Sequence, residues 1–193
     1  MASQKIIVCY LRAGSALLED HWLNRMARYF APRYDTSDGT EPVVHVELYF
    51  PNAHGTGGMS SGIHYGGTTF LHPKTFRRSN WVFHAIPATA EQVRAAKAFC
   101  SRQSGTPFNY RGFFLPAFLN ISHTTRMNGL DTKRMPWYCS ELVAYTLHYA
   151  QLLDTAGTVE ARAHPNAAYN VIQKHCDTYI DCARSLNGRR LEL

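Results

Sequence analysis

A chain of 193 residues supports one well-buried core and is short for two, so residues 1–193 read as a single domain. With 45% apolar and 18% charged residues the composition is ordinary for a globular protein, and it excludes a disordered or low-complexity chain. The longest apolar runs are strand-sized, too short for a transmembrane segment, and the formal charge of +6 is scattered enough to read as solvated surface.

Lys5–Leu11 predicts a short strand, with β-branched Ile6, Ile7 and Val8 closing before Ala13-Gly14-Ser15. The apolar run Ile6–Leu11 is too short for a secretory signal and lacks a small-residue cleavage site, so an intracellular or host-cell location is expected. Leu17, Leu18, Trp22, Leu23, Met26 and Phe30 recur at helical spacing before Pro32. Val43–Phe50 is the clearest strand. Alternation places Val44, Val46, Leu48 and Phe50 on one face and Val43, His45, Glu47 and Tyr49 on the other. Pro51–Gly58 is turn-rich, and Gly62–Phe70 reads as a strand pair broken at Gly66-Gly67.

Trp81–Ile86 is a further strand ending at Pro87, and Thr89 caps a helix that runs to Ser101. Gly105-Thr106-Pro107 ends that helix, and an aromatic segment spans Phe108–Phe118. Asn120–Pro136 is a long polar loop of the kind that overhangs a site. Tyr138 to about Leu153 predicts a helix with Leu142, Val143, Thr146, Leu147 and Ala150 toward the core, and a shorter helix follows around Asn166–His175. The order is α+β, with a small antiparallel sheet packed against helices.

The five cysteines have no framework spacing, so free thiols are expected. One of them, Cys139, opens a predicted helix directly after a loop. Unpaired N–H groups and the helix dipole stabilise an anion there, and the same groups can hold a developing oxyanion. The competing reading is an inert core thiol. His45 and Glu47 share a strand face, where an imidazole and a carboxylate are costly unless they face solvent or do chemistry. Their chemical reading is a general base with an adjacent acid, although Glu47 could touch substrate instead.

The segment Gly105-Thr106-Pro107-Phe108-Asn109-Tyr110-Arg111-Gly112, followed by Tyr138-Cys139-Ser140-Glu141-Leu142-Val143, resembles the NlpC-type cysteine peptidase superfamily. Standard members carry a Gly-x-Pro-Tyr-x-aromatic-x-Gly element, a Cys-Ser pair opening a helix, and a catalytic histidine on a later strand. In this chain His148, His164 and His175 fall on no recognisable later strand, and the strand-borne His-x-Glu precedes the cysteine. That order resembles the circularly permuted branch, which includes lecithin:retinol acyltransferase-like proteins and bacterial and viral relatives. The resemblance covers roughly Val43 to Leu153 and implies a permuted papain-like fold with the nucleophile at a helix N-terminus. Carried over by position, Cys139 is the nucleophile, His45 the base and Glu47 the third polar residue. Tyr110, or Phe108 in place of the usual tyrosine, would line the site, with Ser140 beside the nucleophile.

The remaining candidates are weaker. Ser61, with Ser60, could contact substrate, but a turn is the simpler reading. The glycines after His54 lack the Lys-Ser/Thr ending of a phosphate loop. His175-Cys176 with Cys182 has no second pair at zinc spacing, so neither a metal nor any other cofactor is expected. His64 and His84 rival His45 but lack a neighbouring acid, and Asn120-Ile121-Ser122 fits a glycosylation sequon. No RNA-binding or zinc-finger signature points to a specific nucleic acid.

The expectation is a Cys-His hydrolase acting on an amide bond of a peptide or protein. The alternatives are a lipid or ester acyltransferase, a thioesterase, or a binding module without turnover. By analogy with the permuted branch, the chain would suit a viral or phage protein. The third catalytic residue stays open among Glu47, a loop polar group and a backbone carbonyl.

Overall fold

A computed structural model of the chain describes residues 4–15, 41–52, 57–63, 67–76, 80–110, 135–174 and 178–180. The helix expected over 17–30 and most of the loop 120–136 lie outside these residues, as do His54, His64, His175, Cys176, Cys182 and the sequon.

Six strands form one sheet: β1 (Gln4–Arg12), β2 (Val43–Pro51), β3 (Gly58–Ile63), β4 (Thr69–Pro73), β5 (Trp81–Ala88) and β6 (Thr178–Ile180). Their order is β4-β3-β2-β1-β5-β6, and every neighbouring pair is antiparallel. The α+β expectation is met, with an antiparallel sheet and four helices among the described residues. β1 and β2 are interior strands, and the clusters packed on either side of the sheet bury both of their faces, which fits their runs of Ile, Val, Leu and Tyr.

The two faces carry separate cores. Ile6, Val8, Tyr10, Val46, Leu48, Phe50, Val82 and Ile86 join residues of the helices in the larger one. Ile7, Cys9, Leu11, Tyr49, Phe76, Trp81 and Phe83 form the second. Strict alternation on β2 fails at one place. The register against β1 shifts between Leu11, which pairs with His45, and Arg12, which pairs with Val43. That bulge skips Val44, so Val43 joins the larger core and Val44 the second, the reverse of the expected assignment. His45, Glu47 and Tyr49 keep their shared face.

Helix α1 (Ala90–Gln103) starts at Thr89, whose hydroxyl accepts the Gln92 N–H while the Gln92 side chain accepts the Thr89 N–H. Helix α2 (Cys139–Tyr149) is buried at every position from Cys139 to Leu147, as a central core helix must be, and packs on β2 and β3. It stops well before Leu153. Gln151 turns left-handed (φ 57°), its N–H donates to the His148 carbonyl, and the Leu152 N–H donates to the Leu147 carbonyl. This pair of bonds closes the helix end without the usual glycine.

Helix α3 (Thr155–Ala161) was not expected, and Asp154 caps it by accepting the Gly157 N–H. Helix α4 (Pro165–Gln173) follows, with proline in its first turn. A second departure concerns Ser60-Ser61. Both lie on β3, paired with Tyr49 and Leu48, and not in a turn. No helix among the described residues is long and apolar enough to cross a membrane.

Candidate active site

Two short bridges position the start of α2. Phe108 pairs with Trp137 in parallel fashion, and Thr68 pairs with Pro107. The Trp137 N–H donates to the Pro107 carbonyl (3.1 Å), and the Asn109 N–H donates to the Trp137 carbonyl (2.7 Å). The Trp137 indole N–H donates to Gln103 Oε1 at the end of α1 (3.0 Å). Inside the helix, Glu141 accepts from the Asn109 amide (3.1 Å). These bonds anchor the residues immediately before Cys139 to α1 and to the Gly105–Tyr110 segment.

Cys139 is the first residue of α2 and is 2% exposed. Tyr138, the N-cap, is extended and makes no side-chain capping bond. The first N–H groups of a helix lack intrahelical partners, so this end offers donors to an anion.

The Cys139 thiol lies near enough to the His45 ring to favour its protonated form. His45 Nε2 meets Glu47 Oε1 at 3.1 Å. An ionised carboxylate can only accept, so Nε2 carries the proton in that contact and Nδ1 is the nitrogen left to serve a thiol. His45 is 4% exposed and Glu47 1%, which rules out the solvent-facing strand surface that was the plain alternative. The Trp81 ring stands edge-on to the imidazole, with centroids 6.1 Å apart.

Glu47 is heavily committed. Oε1 also accepts from Lys74 Nζ (2.6 Å), while Oε2 accepts from Lys74 Nζ (2.8 Å) and from the Ser60 hydroxyl (2.7 Å). The carboxylate has room because β3 offers a glycine: a Cβ on Gly62 would stand 2.7 Å from Glu47 Cγ and 3.1 Å from Phe70 Cζ.

The protonation states follow from this packing. Burial by itself pushes the His45 imidazole down. The charge and hydrogen bond of Cys139, then those of Glu47, outweigh burial and raise it to about 9. For Glu47, burial pushes up, and the hydrogen bond and charge of His45 with those of Lys74 hold it down at about 2. Both groups are thus charged at neutral pH.

The other expected site residues lie elsewhere or do other work. Ser140 is fully buried and its hydroxyl donates to the Arg162 carbonyl (3.0 Å), tying α2 to the end of α3. Ser61 is buried on the opposite face of β3 from Ser60, within hydrogen-bonding reach of Cys100 on α1. Phe108 is buried beside Tyr110 (centroids 5.0 Å), and Tyr110 is 45% exposed, the only exposed large hydrophobic residue among those described. The rival His84 packs between the rings of Tyr10 (5.2 Å) and Tyr169 (4.6 Å).

Lys74 and Asn109 were missed by sequence reasoning, and Ser60 was read as part of a turn. Lys74 is 27 residues from Glu47 along the chain, and no local pattern signals the contact. The one available hint was the density of Phe70, Phe76 and Trp81 around it. Cys9, Cys100 and Cys139 are free thiols. Among the described residues, no three of His, Cys, Asp and Glu come together in a group that could hold a metal ion. Compared with family models, curated proteins and solved structures, the chain matches none.

Proposed function

We propose that the chain is a cysteine hydrolase of permuted papain-like fold, acting on an amide bond through an acyl-enzyme on Cys139. The observation that carries this reading is the buried line of Cys139, His45 and Glu47, in which a thiol at a helix N-terminus meets an imidazole held by a carboxylate. A polar chain of this kind is costly in a core unless its members have work, because each group loses its hydration.

A ring that keeps its proton to about pH 9 is the partner a thiolate needs. In the reacting pair the imidazolium keeps Nε2–H on Glu47, which leaves Nδ1–H for the sulfur, and the sulfur reacts as thiolate. The sulfur attacks the substrate carbonyl carbon, and its oxygen takes the negative charge beside the first N–H groups of α2. As the tetrahedral intermediate collapses, the C–N bond breaks and His45 gives its Nδ1 proton to the leaving amine. The neutral ring then takes a proton from water, hydroxide attacks the thioester, and the acid product leaves with sulfur again as thiolate. Glu47 keeps its charge throughout and holds the ring's orientation.

The test is a burst measurement with p-nitrophenyl acetate, a simple activated acyl donor. One equivalent of nitrophenolate should be released rapidly, with an acetyl group found on the Cys139 peptide by mass spectrometry. Cys139→Ala should abolish the burst and His45→Ala should slow it at least about 100-fold, the range of general-base contributions. Acetylation spread over several thiols, indifferent to His45, would refute the reading.

A further inference from the structure

Lys74 follows β4 and could have extended into water, as lysines do. Instead its side chain is 21% exposed and its ammonium sits against both oxygens of Glu47. Three rings surround it: Phe76 at 4.9 Å, Trp81 at 5.0 Å and Phe70 at 5.7 Å from Nζ. Each lies within the distance at which a ring face attracts a cation. The cage is itself braced, with Phe76 and Trp81 edge to face at 4.8 Å. Trp81 also touches the His45 ring, so one indole borders both the lysine and the imidazole.

We infer that Lys74 is a positioning residue of the proposed Cys139–His45 site: caged by three aromatic rings, it clamps both oxygens of Glu47 and fixes the carboxylate that orients His45. The inference rests on the cysteine-hydrolase reading. A carboxylate held by His45 and Ser60 alone has one bond on each oxygen and can turn about its last torsion. The lysine adds a contact to each oxygen, so turning the plane breaks several bonds together. Together with His45 it also supplies the positive charge that keeps a fully buried acid ionised.

The groups that bear on Glu47 come from every element around it. His45, Ser60 and Lys74 bond to it, while Tyr49 on its own strand, Cys9 opposite it on β1 and exposed His72 opposite Ser60 on β4 share its face by register, and Cys139 acts through His45. Lys74 alone among them is a cation bonded to both of its oxygens. Without it the buried carboxyl loses one of the two cations that hold it ionised, takes up a proton more readily, and holds the imidazolium less firmly in place.

The experiment is the alkylation rate of Cys139 by iodoacetamide, read on its own peptide by mass spectrometry, from pH 5 to pH 10. Parent, Lys74→Met, Lys74→Gln, Lys74→Arg and His45→Ala are compared as full chains. Lys74→Met should slow labelling at pH 6 about tenfold, the size of a one-unit change in ionisation. At pH 10, where an ordinary thiol is ionised anyway, the rate should stay within about twofold of the parent. Lys74→Arg should restore the pH 6 rate to within about threefold, because it keeps both the charge and the ring contacts.

A merely structural role would instead expose the buried thiol and speed labelling across the whole range. Lys74→Gln, the milder change, carries the same comparison if Lys74→Met does not fold. A profile for either variant that overlays the parent, while His45→Ala slows labelling at pH 6, overturns the role of Lys74 and leaves the Cys139–His45 pair standing. If His45→Ala also overlays the parent, it is the hydrolase reading that has failed, and this role falls with it.

Discussion

Glu47→Gln changes one atom and removes the charge on which two cations depend. The carboxylate accepts from His45 Nε2, from Ser60 and twice from Lys74. A glutamine of the same shape keeps one acceptor oxygen and turns the other position into a donor facing donors. Breaking a buried ion pair on one side costs about 3–5 kcal/mol, and the partial exposure of Lys74 places this case near the lower end, about 3 kcal/mol. For a chain of this size each kcal/mol moves the melting temperature by about 2–4 °C, so a fall of about 6–12 °C is expected at pH 7. The pH dependence is the sharper test. Glu47 is held at about 2, below its ordinary 4.5, so its contribution is complete above pH 4.5 and fades as the pH falls toward 2. Melting curves followed by circular dichroism should therefore draw together for parent and variant as the pH falls from 4.5 toward 2. A fall of less than 2 °C at pH 7, or a gap as large at pH 3 as at pH 7, would refute the reasoning.

His45, followed by the NMR signal of its ring in a pH titration, should change charge near pH 9 in the parent and at least about one unit lower in Cys139→Ala, which removes the leading upward influence. Its raised value stabilises the fold fully below pH 6.5, and that contribution should disappear as the pH rises through about 9. Gly62→Ala pushes a methyl against Glu47 and Phe70, and should cost about 1–3 kcal/mol in urea unfolding and slow Cys139 alkylation. Gln151→Gly relieves a left-handed residue at the end of α2, and should add about 0.5–1 kcal/mol in the same assay while leaving alkylation unchanged.

Local pattern carried the reading wherever period and burial agreed. The β2 strand was legible from its alternating apolar residues, and α1 from Thr89 as its cap, whose reciprocal bonds with Gln92 need only residues three apart. Cys139 at a helix start, and His45 with Glu47 on one face, were likewise visible because each depends on short-range geometry. What escaped notice depends on the sheet as a whole. Val44 changed sides because β1 shifts register beside it, and no property of Val44 announces that shift. Ser60 and Ser61 have weak strand propensity and became strand residues through pairing on both sides, to β2 and to β4. Lys74 reaches Glu47 only once β2, β3 and β4 lie side by side. The α3 helix is short and was hidden by a composition of alanine, glycine and threonine.

The bridge between Phe108 and Trp137 bears on what fixes the start of α2. Its bonds bring two distant points of the sequence together, so the position of Cys139 is set at the clamp and not by the path that joins its ends. A change at Trp137 is therefore felt at the first turn of α2, two residues on, and through the same bonds at the Gly105–Tyr110 segment.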